Sequence, residues 1–303
     1  MTLPRTSLDA LAVIVDCTGD HMDDAERSAL FTRAIRALPA VDESADLELP
    51  IRRLAPLGPE IEASHGAGAR TAFARALVAH LALRLADRLP SMGLPDSVLE
   101  LYPGAFERLV AQLGTADLAS YWSGDDHFLK DIRITGGYSV PCGAQDVDLY
   151  SSISRLSGLK SMVTQRDLRN GWAVVRRGGP PWFEIHTDPR HTEDFNEEGW
   201  ERCYRRIADL LVRWPKVKGM VGTSWFYDPQ LVAISPRLAY LQTTPLANGA
   251  LVVRHGPGAI HTERATATSP TRRALVEQGS YVPICCSLLW PRDELLGWAR
   301  RAP

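Results

Sequence analysis

The sequence predicts an α+β protein, with a mostly helical N-terminal region over residues 1–120 and a mixed α/β domain over residues 121–303. Three observations predict this division. Apolar residues recur at helical spacing through the first region, and strand-forming runs separated by glycine and proline begin at Tyr121. Residues 182–222 then read as strand, polar turn, helix and strand. That order is typical of α/β enzymes, so we expect the chemistry to lie there.

Long amphipathic segments predict the helices of the N-terminal region. Residues 23–38 begin with two aspartates, whose charge suits the start of a helix. Residues 71–89 repeat a large apolar side chain every four positions, and residues 97–113 carry a further apolar stripe. The acidic, proline-punctuated residues 40–60 are predicted to be a connection, and the apolar run Leu11 to Val15 is either a buried strand or a helix segment.

Strand signals dominate from Tyr121 onward. Apolar and aromatic residues with short turns between them predict strands near Ile132 to Tyr138, Val147 to Tyr150, Trp172 to Val175 and Trp182 to Ile185. The Gly-Gly-Pro-Pro turn between the last two predicts a hairpin whose second strand delivers His186.

The helix after this strand is the most strongly marked element of the chain. Apolar residues from Trp200 to Trp214 form one stripe at helical spacing, Asn196 or Asp194 is the predicted N-cap, and Pro215 ends the helix. A buried strand is predicted to begin near Lys218. The later elements are predicted as a helix interrupted by a proline at residues 230–242, a strand at 248–253 and a short helix at 270–279. A strand at 284–289 and a closing helix at 293–301 follow.

Composition excludes several classes of partner. The net charge of −2 leaves no basic field for nucleic acid or an anionic membrane, and the N-terminal apolar run is too short to span a bilayer. Five cysteines without a C-x-x-C pair predict neither a structural zinc site nor a disulfide scaffold. Arginine outnumbers lysine, which fits a GC-rich genome. We therefore expect a cytoplasmic bacterial enzyme that acts on a small molecule.

The polar cluster after the strand at 182–185 is the predicted catalytic site. It contains His186, Asp188, Arg190 and His191. Histidine is the side chain best suited to take a proton near neutral pH, so His186 is the predicted general base, with Asp188 orienting it. Arg190 is predicted to bind substrate.

Further substrate-binding residues are predicted at two places. Ser224 and Trp225 follow the strand that begins near Lys218 and are predicted to line the pocket at its end. Arg272 and Arg273 are predicted to meet a carboxylate or phosphate group, because a guanidinium binds either as a bidentate fork. No metal ligand belongs to this interpretation.

The second half resembles the GNAT-like acyltransferase fold. SSISRLSGLK, at residues 151–160, is similar to the E-I-S-R-L strand of its N-acyl amino acid and autoinducer synthase branch. The resemblance implies acyl transfer from a CoA or acyl-carrier-protein thioester to an amine, with the thioester between the strand ending at His186 and the one beginning at Lys218. The family's phosphate loop is replaced by DPRHTEDFNEEGW, whose acids repel phosphate. The fold is therefore also compatible with another acyl carrier or with no acyl chemistry.

Two alternatives stay open. His186, Asp188 and a distant His261, with Arg272 after it, resemble the pattern of the phytanoyl-CoA-hydroxylase-like Fe(II)/2-oxoglutarate oxygenases. That resemblance implies that the first three bind Fe(II) and that Arg272 clamps 2-oxoglutarate. However, a jelly roll needs strands where this chain has its best helix. The other alternative is a non-catalytic ligand-binding protein on the same fold, which predicts that no acyl donor binds.

Overall fold

The computed structural model contains two compact units. It describes residues 3–16, 22–66, 68–115, 121–122, 126–164, 168–190 and 192–301. The first unit consists of Met1–Cys142 and Asp146–Tyr150, and the second of Gly143–Gln145 and Ser151–Pro303.

The first unit is a helical array that ends in a β-hairpin. Its α-helices are α1 (Arg5–Asp16), α2 (Asp24–Ala37), α3 (Leu49–Leu54), α4 (Leu57–His65), α5 (Ala69–Arg88), α6 (Asp96–Leu99), α7 (Tyr102–Gly114) and α8 (Asp126–Thr135). Strands β1 (Ser139–Pro141) and β2 (Asp146–Ser151) pair antiparallel, with Val140 opposite Val147. The core is centred on α5, whose four-residue repeat buries Phe73, Leu77 and Leu85 completely.

The periodic segments of this unit were predictable, and the shorter ones were not. Asp23 caps α2 by accepting a hydrogen bond from the Glu26 amide at 2.8 Å. The run Leu11 to Val15 belongs to a helix, α1. The prediction of a connection at residues 40–60 is wrong, because α3 and α4 begin there around apolar side chains that pack inward, and proline is compatible with the first turn of a helix.

The predicted strand at Ile132 to Tyr138 is also wrong. These residues are mostly α8, which buries Phe128 and Ile132 on one face. Its Arg133 makes a buried ion pair with Asp148 at 2.8 Å and donates to the Leu47 carbonyl at 3.1 Å. The helices of the N-terminal region thus continue to Thr135.

The second unit alternates helices with strands. Its strands are β3 (Trp182–His186), β4 (Gly219–Ser224), β5 (Leu251–Pro257) and β6 (Ile284–Pro291). Its α-helices are α9 (Arg155–Thr164), α10 (Leu168–Arg177), α11 (Glu197–Arg213), α12 (Leu231–Ile234), α13 (Tyr240–Ala247), α14 (Ala259–Thr266), α15 (Pro270–Glu277) and α16 (Arg292–Arg301).

These strands form a mixed sheet in the order β3-β4-β6-β5. β3 and β4 are parallel and are joined by α11, whereas β4 pairs antiparallel with β6 and β6 antiparallel with β5. A parallel pair needs a crossover of this kind, since its strands must run in the same direction.

Each face of the sheet is covered by different helices. On one face, Trp290 of β6 packs edge-on against Tyr204 of α11 at 5.1 Å and lies 5.3 Å from Trp298 of α16, between ring centroids. On the other face, Val174 of α10 joins a buried apolar cluster with residues from four strands and the segment before α9, namely Ile153, Trp182, Val221, Val253 and Leu289.

Two predictions fail where α9 and α10 form. Trp172 to Val175 lie in α10, so β3 follows a helix and a turn, not a hairpin partner. Residues 153–156, matched to a family strand, instead lead into α9.

The later elements are as predicted, except that the sequence did not predict helix α14. The predicted fold class, α+β with a helical N-terminal region, is confirmed. No helix within the described ranges combines the length and hydrophobicity needed to traverse a bilayer.

Candidate active site

β3 places His186 on a defined face of the sheet. Side chains alternate along a strand, so Trp182, Glu184 and His186 share one face, while Phe183 and Ile185 share the other. Trp182 is completely buried, and His186 is partly exposed at the end of the strand. Glu184 accepts a hydrogen bond from the Ser151 hydroxyl at 2.6 Å. β3 therefore ends at His186, as the sequence predicted, and the catalytic role of His186 stays a prediction.

Strand pairing places further polar residues in line with His186 across the sheet. Ile185 pairs with Gly222, so His186 falls beside Thr223 one residue further along the parallel pair. Thr223 in turn lies opposite Ser287 of β6. On β5, a bulge between Arg254 and Gly256 leaves His255 as the extra residue. Val253, two residues before His255, pairs with Ser287, so His255 lies on the same face of the sheet as Ser287.

We call His186, Thr223, Ser287 and His255 the polar row. Its last three members are joined by hydrogen bonds: the Thr223 and Ser287 hydroxyl oxygens are 2.7 Å apart, and His255 Nε2 is 2.7 Å from the same Ser287 oxygen. Ser287 is buried, whereas Thr223 and His255 on either side of it are exposed. A buried hydroxyl held between two accessible polar groups can take part in proton transfer.

The polar row borders an apolar stretch of the same face. Val221, Val253 and Leu289 belong to the buried cluster that α10 covers, and Asn170 of α10 donates to the Val252 carbonyl at 3.3 Å. Polar groups beside a dry, apolar wall interact more strongly than they would in water. The face thus offers acid–base groups at one end and an apolar surface at the other.

Asp188 and Arg190 form an ion pair within the turn after β3. Asp188 is 6% exposed, and its carboxylate accepts from the Arg190 guanidinium at 2.7 to 3.1 Å and from the Arg190 amide at 2.9 Å. These bonds hold the turn that follows His186. The orienting role of Asp188 and the substrate contact of Arg190 stay predictions. His191 lies outside the described residues.

The structure shows capping and packing contacts within the protein for Ser224, Trp225 and Arg272. The Ser224 hydroxyl accepts from the Phe226 amide at 3.2 Å and so caps a helical turn. Trp225 is buried against Leu231 and Ala265, and the Arg272 guanidinium lies 4.8 Å above its ring. Arg272 is 3% exposed, and burial lowers its pKa. Their predicted contact with substrate stays a prediction.

Arg273 and His261 lie elsewhere on the second unit. Arg273 is exposed and donates to the carbonyls of Thr266 and Ala267 at 3.3 and 3.4 Å, which caps the end of α14. His261 lies in α14, where burial, followed by the charge of Arg264, lowers its pKa.

The oxygenase alternative does not fit this geometry. The described residues of the second unit form one mixed sheet, not the facing antiparallel sheets of a jelly roll. The predicted cosubstrate clamp, Arg272, donates to the Ala265 carbonyl at 2.5 Å and to the Ser235 hydroxyl at 3.2 Å. A buried guanidinium bound in this way is not available to bind a carboxylate of 2-oxoglutarate.

The start of α11 is unsuited to phosphate, as its acidic sequence predicted. Asn196 caps the helix by accepting from the Gly199 amide at 2.9 Å, and Glu197 and Glu198 occupy the first turn. The side-chain cap takes one of the amides that would otherwise bind an anion, and the two carboxylates repel it.

Sequence reasoning missed three members of the polar row. Thr223, Ser287 and His255 come from three strands that are distant in sequence, so only the strand register brings them together. One signal was present: Ser287 interrupts the otherwise apolar run from Ile284 to Trp290, which marks a polar position on a buried strand.

No protein-family model matches this chain, and no curated protein matches it. Solved structures similar to it include an acyltransferase in complex with decanoyl-CoA and teicoplanin, at 15% identity and a TM-score of 0.48, covering 96% of this chain and 90% of that chain. An acyltransferase in complex with CoA and 10C-teicoplanin is 14% identical, with a TM-score of 0.47 over 84% of this chain and 81% of that one. A mutant acyltransferase in complex with octanoyl-CoA is 13% identical, with a TM-score of 0.47 over 89% of each chain. At these identities and TM-scores, the roles of residues here rest on this chain's own contacts.

Proposed function

We propose that this protein transfers an acyl group from a CoA or acyl-carrier-protein thioester to an amine of a small molecule. The observation that carries the proposal is the position of His186 at the end of the parallel pair β3 and β4, in line with a row of hydroxyl and imidazole groups. His186 is the general base for the amine.

The end of the parallel pair supplies a place for the thioester. Pairing of β3 with β4 stops at Ile185 and Gly222, whereas β4 continues through Thr223 and Ser224 paired with β6. The backbone of these two residues on the β3 side therefore faces the position that the GNAT-like resemblance implies for the thioester. An amide N–H there suits the developing charge on a thioester carbonyl oxygen.

The chemistry requires removal of a proton from the attacking amine. An ammonium cannot attack a carbonyl carbon, and the amine must lose a second proton as the C–N bond forms and the C–S bond breaks. His186, partly exposed beside Thr223, is placed to take that proton. The ion pair of Asp188 with Arg190 fixes the turn that positions it.

The acidic start of α11 bears on how the donor binds. Glu197 and Glu198 disfavour the pyrophosphate of CoA at this helix, so the donor would be held by its thioester end and acyl chain. The apolar stretch around Val253 and Leu289 suits an acyl chain better than a charged group. The donor panel should therefore vary chain length as well as carrier.

The test is release of free thiol and formation of amide from a panel of donors and amines. Donors are acetyl-, octanoyl- and decanoyl-CoA, each also loaded on a carrier protein, and acceptors are amino acids, amino sugars and peptide amines. We expect His186→Gln to lower kcat/KM by about 10²- to 10⁴-fold, the usual contribution of a general base. His261→Gln is the matched control and should retain wild-type turnover.

Two outcomes would contradict the proposal. Turnover by His186→Gln equal to that of the wild type would remove the assigned base. The second is a failure of every donor to bind in calorimetric titration, which the non-catalytic alternative predicts. Equal loss of activity in His186→Gln and His261→Gln would instead point back to a site that needs both histidines.

A further inference from the structure

We infer that Ser287 is a nucleophile that carries the acyl group as an ester, with His255 as the base that activates it. The inference rests on the proposed function, because the same thioester is the acyl donor. It goes further by dividing the transfer into two steps, each with its own histidine.

The geometry around Ser287 is that of an activated hydroxyl. His255 Nε2 is 2.7 Å from Ser287 Oγ, within the range for a nucleophile and its base. On the other side, Thr223 Oγ1 is 2.7 Å from the same oxygen. When Thr223 donates to Ser287, the Ser287 proton points to His255. The hydroxyl is thus directed toward the base by a second hydrogen bond.

His255 lies at a bulge in β5. Arg254 pairs with Cys286 and Gly256 with Cys285, so His255 has no cross-strand position of its own. Val253, two residues before it, pairs with Ser287, so the alternation along β5 places His255 on the same face as Ser287. A bulge that adds a histidine beside a buried serine is difficult to explain by packing, because both groups are polar.

The first step would transfer the acyl group to the protein. Ser287 Oγ attacks the thioester carbon while its proton moves to His255 Nε2. The C–O bond forms, the C–S bond breaks, and the thiolate leaves with the proton from His255. The products are an acyl ester on Ser287 and the free thiol of the donor.

The second step would transfer the acyl group to the amine. The amine nitrogen attacks the ester carbon, a C–N bond forms and the C–O bond to Ser287 breaks. His186 takes the proton of the amine and releases it to water, and Ser287 Oγ takes one proton from water, so that no net proton is gained or lost. His186 is two strands from Ser287, roughly 10 Å at the usual strand spacing, with Thr223 of β4 between them, so an acceptor that reaches both would lie over Thr223.

The first experiment is intact-mass analysis of the protein incubated with octanoyl-CoA and no amine. We expect an octanoyl adduct that maps to Ser287, is absent in Ser287→Ala and is retained in Ser287→Cys as a thioester. Ser280→Ala, at an exposed serine of the same unit, is the matched control and should form the adduct normally. His255→Gln should slow its formation by about 10²-fold or more.

The two histidines should separate in this assay. In His186→Gln the adduct should form at the normal rate and persist when the amine is added, because only the second step is slowed. In His255→Gln the adduct should form slowly, and adduct that has formed should be consumed at the normal rate when the amine is added. Initial rates of the wild type should follow a ping-pong pattern, as expected of a covalent intermediate.

Amide formation by Ser287→Ala at a rate within threefold of the wild type would overturn the inference and leave the proposed function intact, since the amine would then attack the thioester directly. An adduct on another residue would overturn it as well. If no donor reacts at all, labelling by a fluorophosphonate decides. Labelling of Ser287 that requires His255 would support Ser287 as the nucleophile, although not with a thioester as its donor. Absence of labelling at Ser287 would overturn the inference.

Discussion

Replacing Arg272 by alanine should lower the stability of the protein without removing the proposed acyl transfer. The sequence predicted this residue to bind a carboxylate or phosphate, but its guanidinium lies 4.8 Å above the Trp225 ring. It also donates to the Ala265 carbonyl at 2.5 Å and to the Ser235 hydroxyl at 3.2 Å. These contacts join α15 to the segments that carry Trp225, Ser235 and Ala265.

The magnitude follows from these contacts. A desolvated cation over an aromatic ring contributes about 2 kcal/mol, and hydrogen bonds from a charged donor about 1.5 to 3 kcal/mol. Removing the cation from water costs free energy, which offsets part of these contributions. The same burial lowers the pKa of Arg272. We therefore expect Arg272→Ala to reduce the free energy of unfolding by about 3 kcal/mol.

Urea unfolding followed by circular dichroism measures this change. With a urea dependence of about 3 kcal/mol per molar, the midpoint should fall by about 1 M. Arg273→Ala is the matched control, because its side chain is exposed and its hydrogen bonds to the Thr266 and Ala267 carbonyls are long, at 3.3 and 3.4 Å. Its midpoint should stay within about 0.2 M of the wild type, as for most surface changes.

The opposite pattern would refute this reasoning. If Arg272→Ala unfolded at the wild-type urea concentration and yet lost binding of donor or acceptor, the guanidinium would have to face the substrate. Arg272→Lys sharpens the distinction. Lysine keeps the charge but loses the planar stack and the fork, so a packing role predicts that stability falls while turnover of the folded fraction is kept.

Three further predictions concern other parts of the chain. Arg133→Ala should cost about 3 to 5 kcal/mol in urea unfolding, because it leaves Asp148 buried without its partner; Arg33→Ala, at the exposed pair with Glu60, should change the midpoint far less. Burial lowers the pKa of His80, so the unfolded state binds its proton more readily, and stability present above about pH 6.5 is lost as the pH falls. The fall in melting temperature from pH 7.5 to 5.5 should therefore be smaller in His80→Phe, and an equal fall would contradict this assignment. Gly222→Ala should lower the melting temperature by an amount equivalent to about 1 to 3 kcal/mol, because its Cβ would lie 2.6 Å from the Tyr227 hydroxyl and 2.8 Å from Ile185. Gly114→Ala, where a Cβ meets nothing within 4 Å, is the control and should not be destabilised.

The long periodic elements were predictable because local signals and packing agree. In α11, the apolar stripe of the sequence is the buried face, and the predicted cap Asn196 bonds to the Gly199 amide. In α5, the four-residue repeat is the centre of the first unit's core. In such segments the helix propensity, the capping residues and the hydrophobic period all favour a helix, so the sequence offers no competing structure.

Short apolar runs were ambiguous. Residues 132–138 and 172–175 contain isoleucine, tyrosine, tryptophan and valine, which favour strands, yet they lie mostly in α8 and α10. The helical period becomes visible only when the flanking polar residues are included. In α10, for example, Val174 is buried whereas Trp172 is 59% exposed. Tertiary packing decided these cases, and a four-residue window does not contain that information.

The candidate site was only partly predictable for a related reason. His186 follows directly from a strand and a polar turn, so its position was expected. Its neighbours across the sheet, Thr223, Ser287 and His255, depend on pairing between strands that are distant in sequence. The surroundings of Arg272 were not predictable either, since a charged residue in sequence does not reveal that its side chain will be buried against a tryptophan.

The polar row is best explained by chemistry, because packing alone would favour other residues. Its neighbours on the same face are apolar and buried, and a valine at position 287 would extend that surface across β6. Instead, the chain buries a hydroxyl and satisfies it with hydrogen bonds to Thr223 and His255. Such a network contributes little net stability, since the same groups would bond to water in the unfolded chain. A fold that accepts polar residues at a position suited to a hydrophobic strand is using that position for a function other than its own stability.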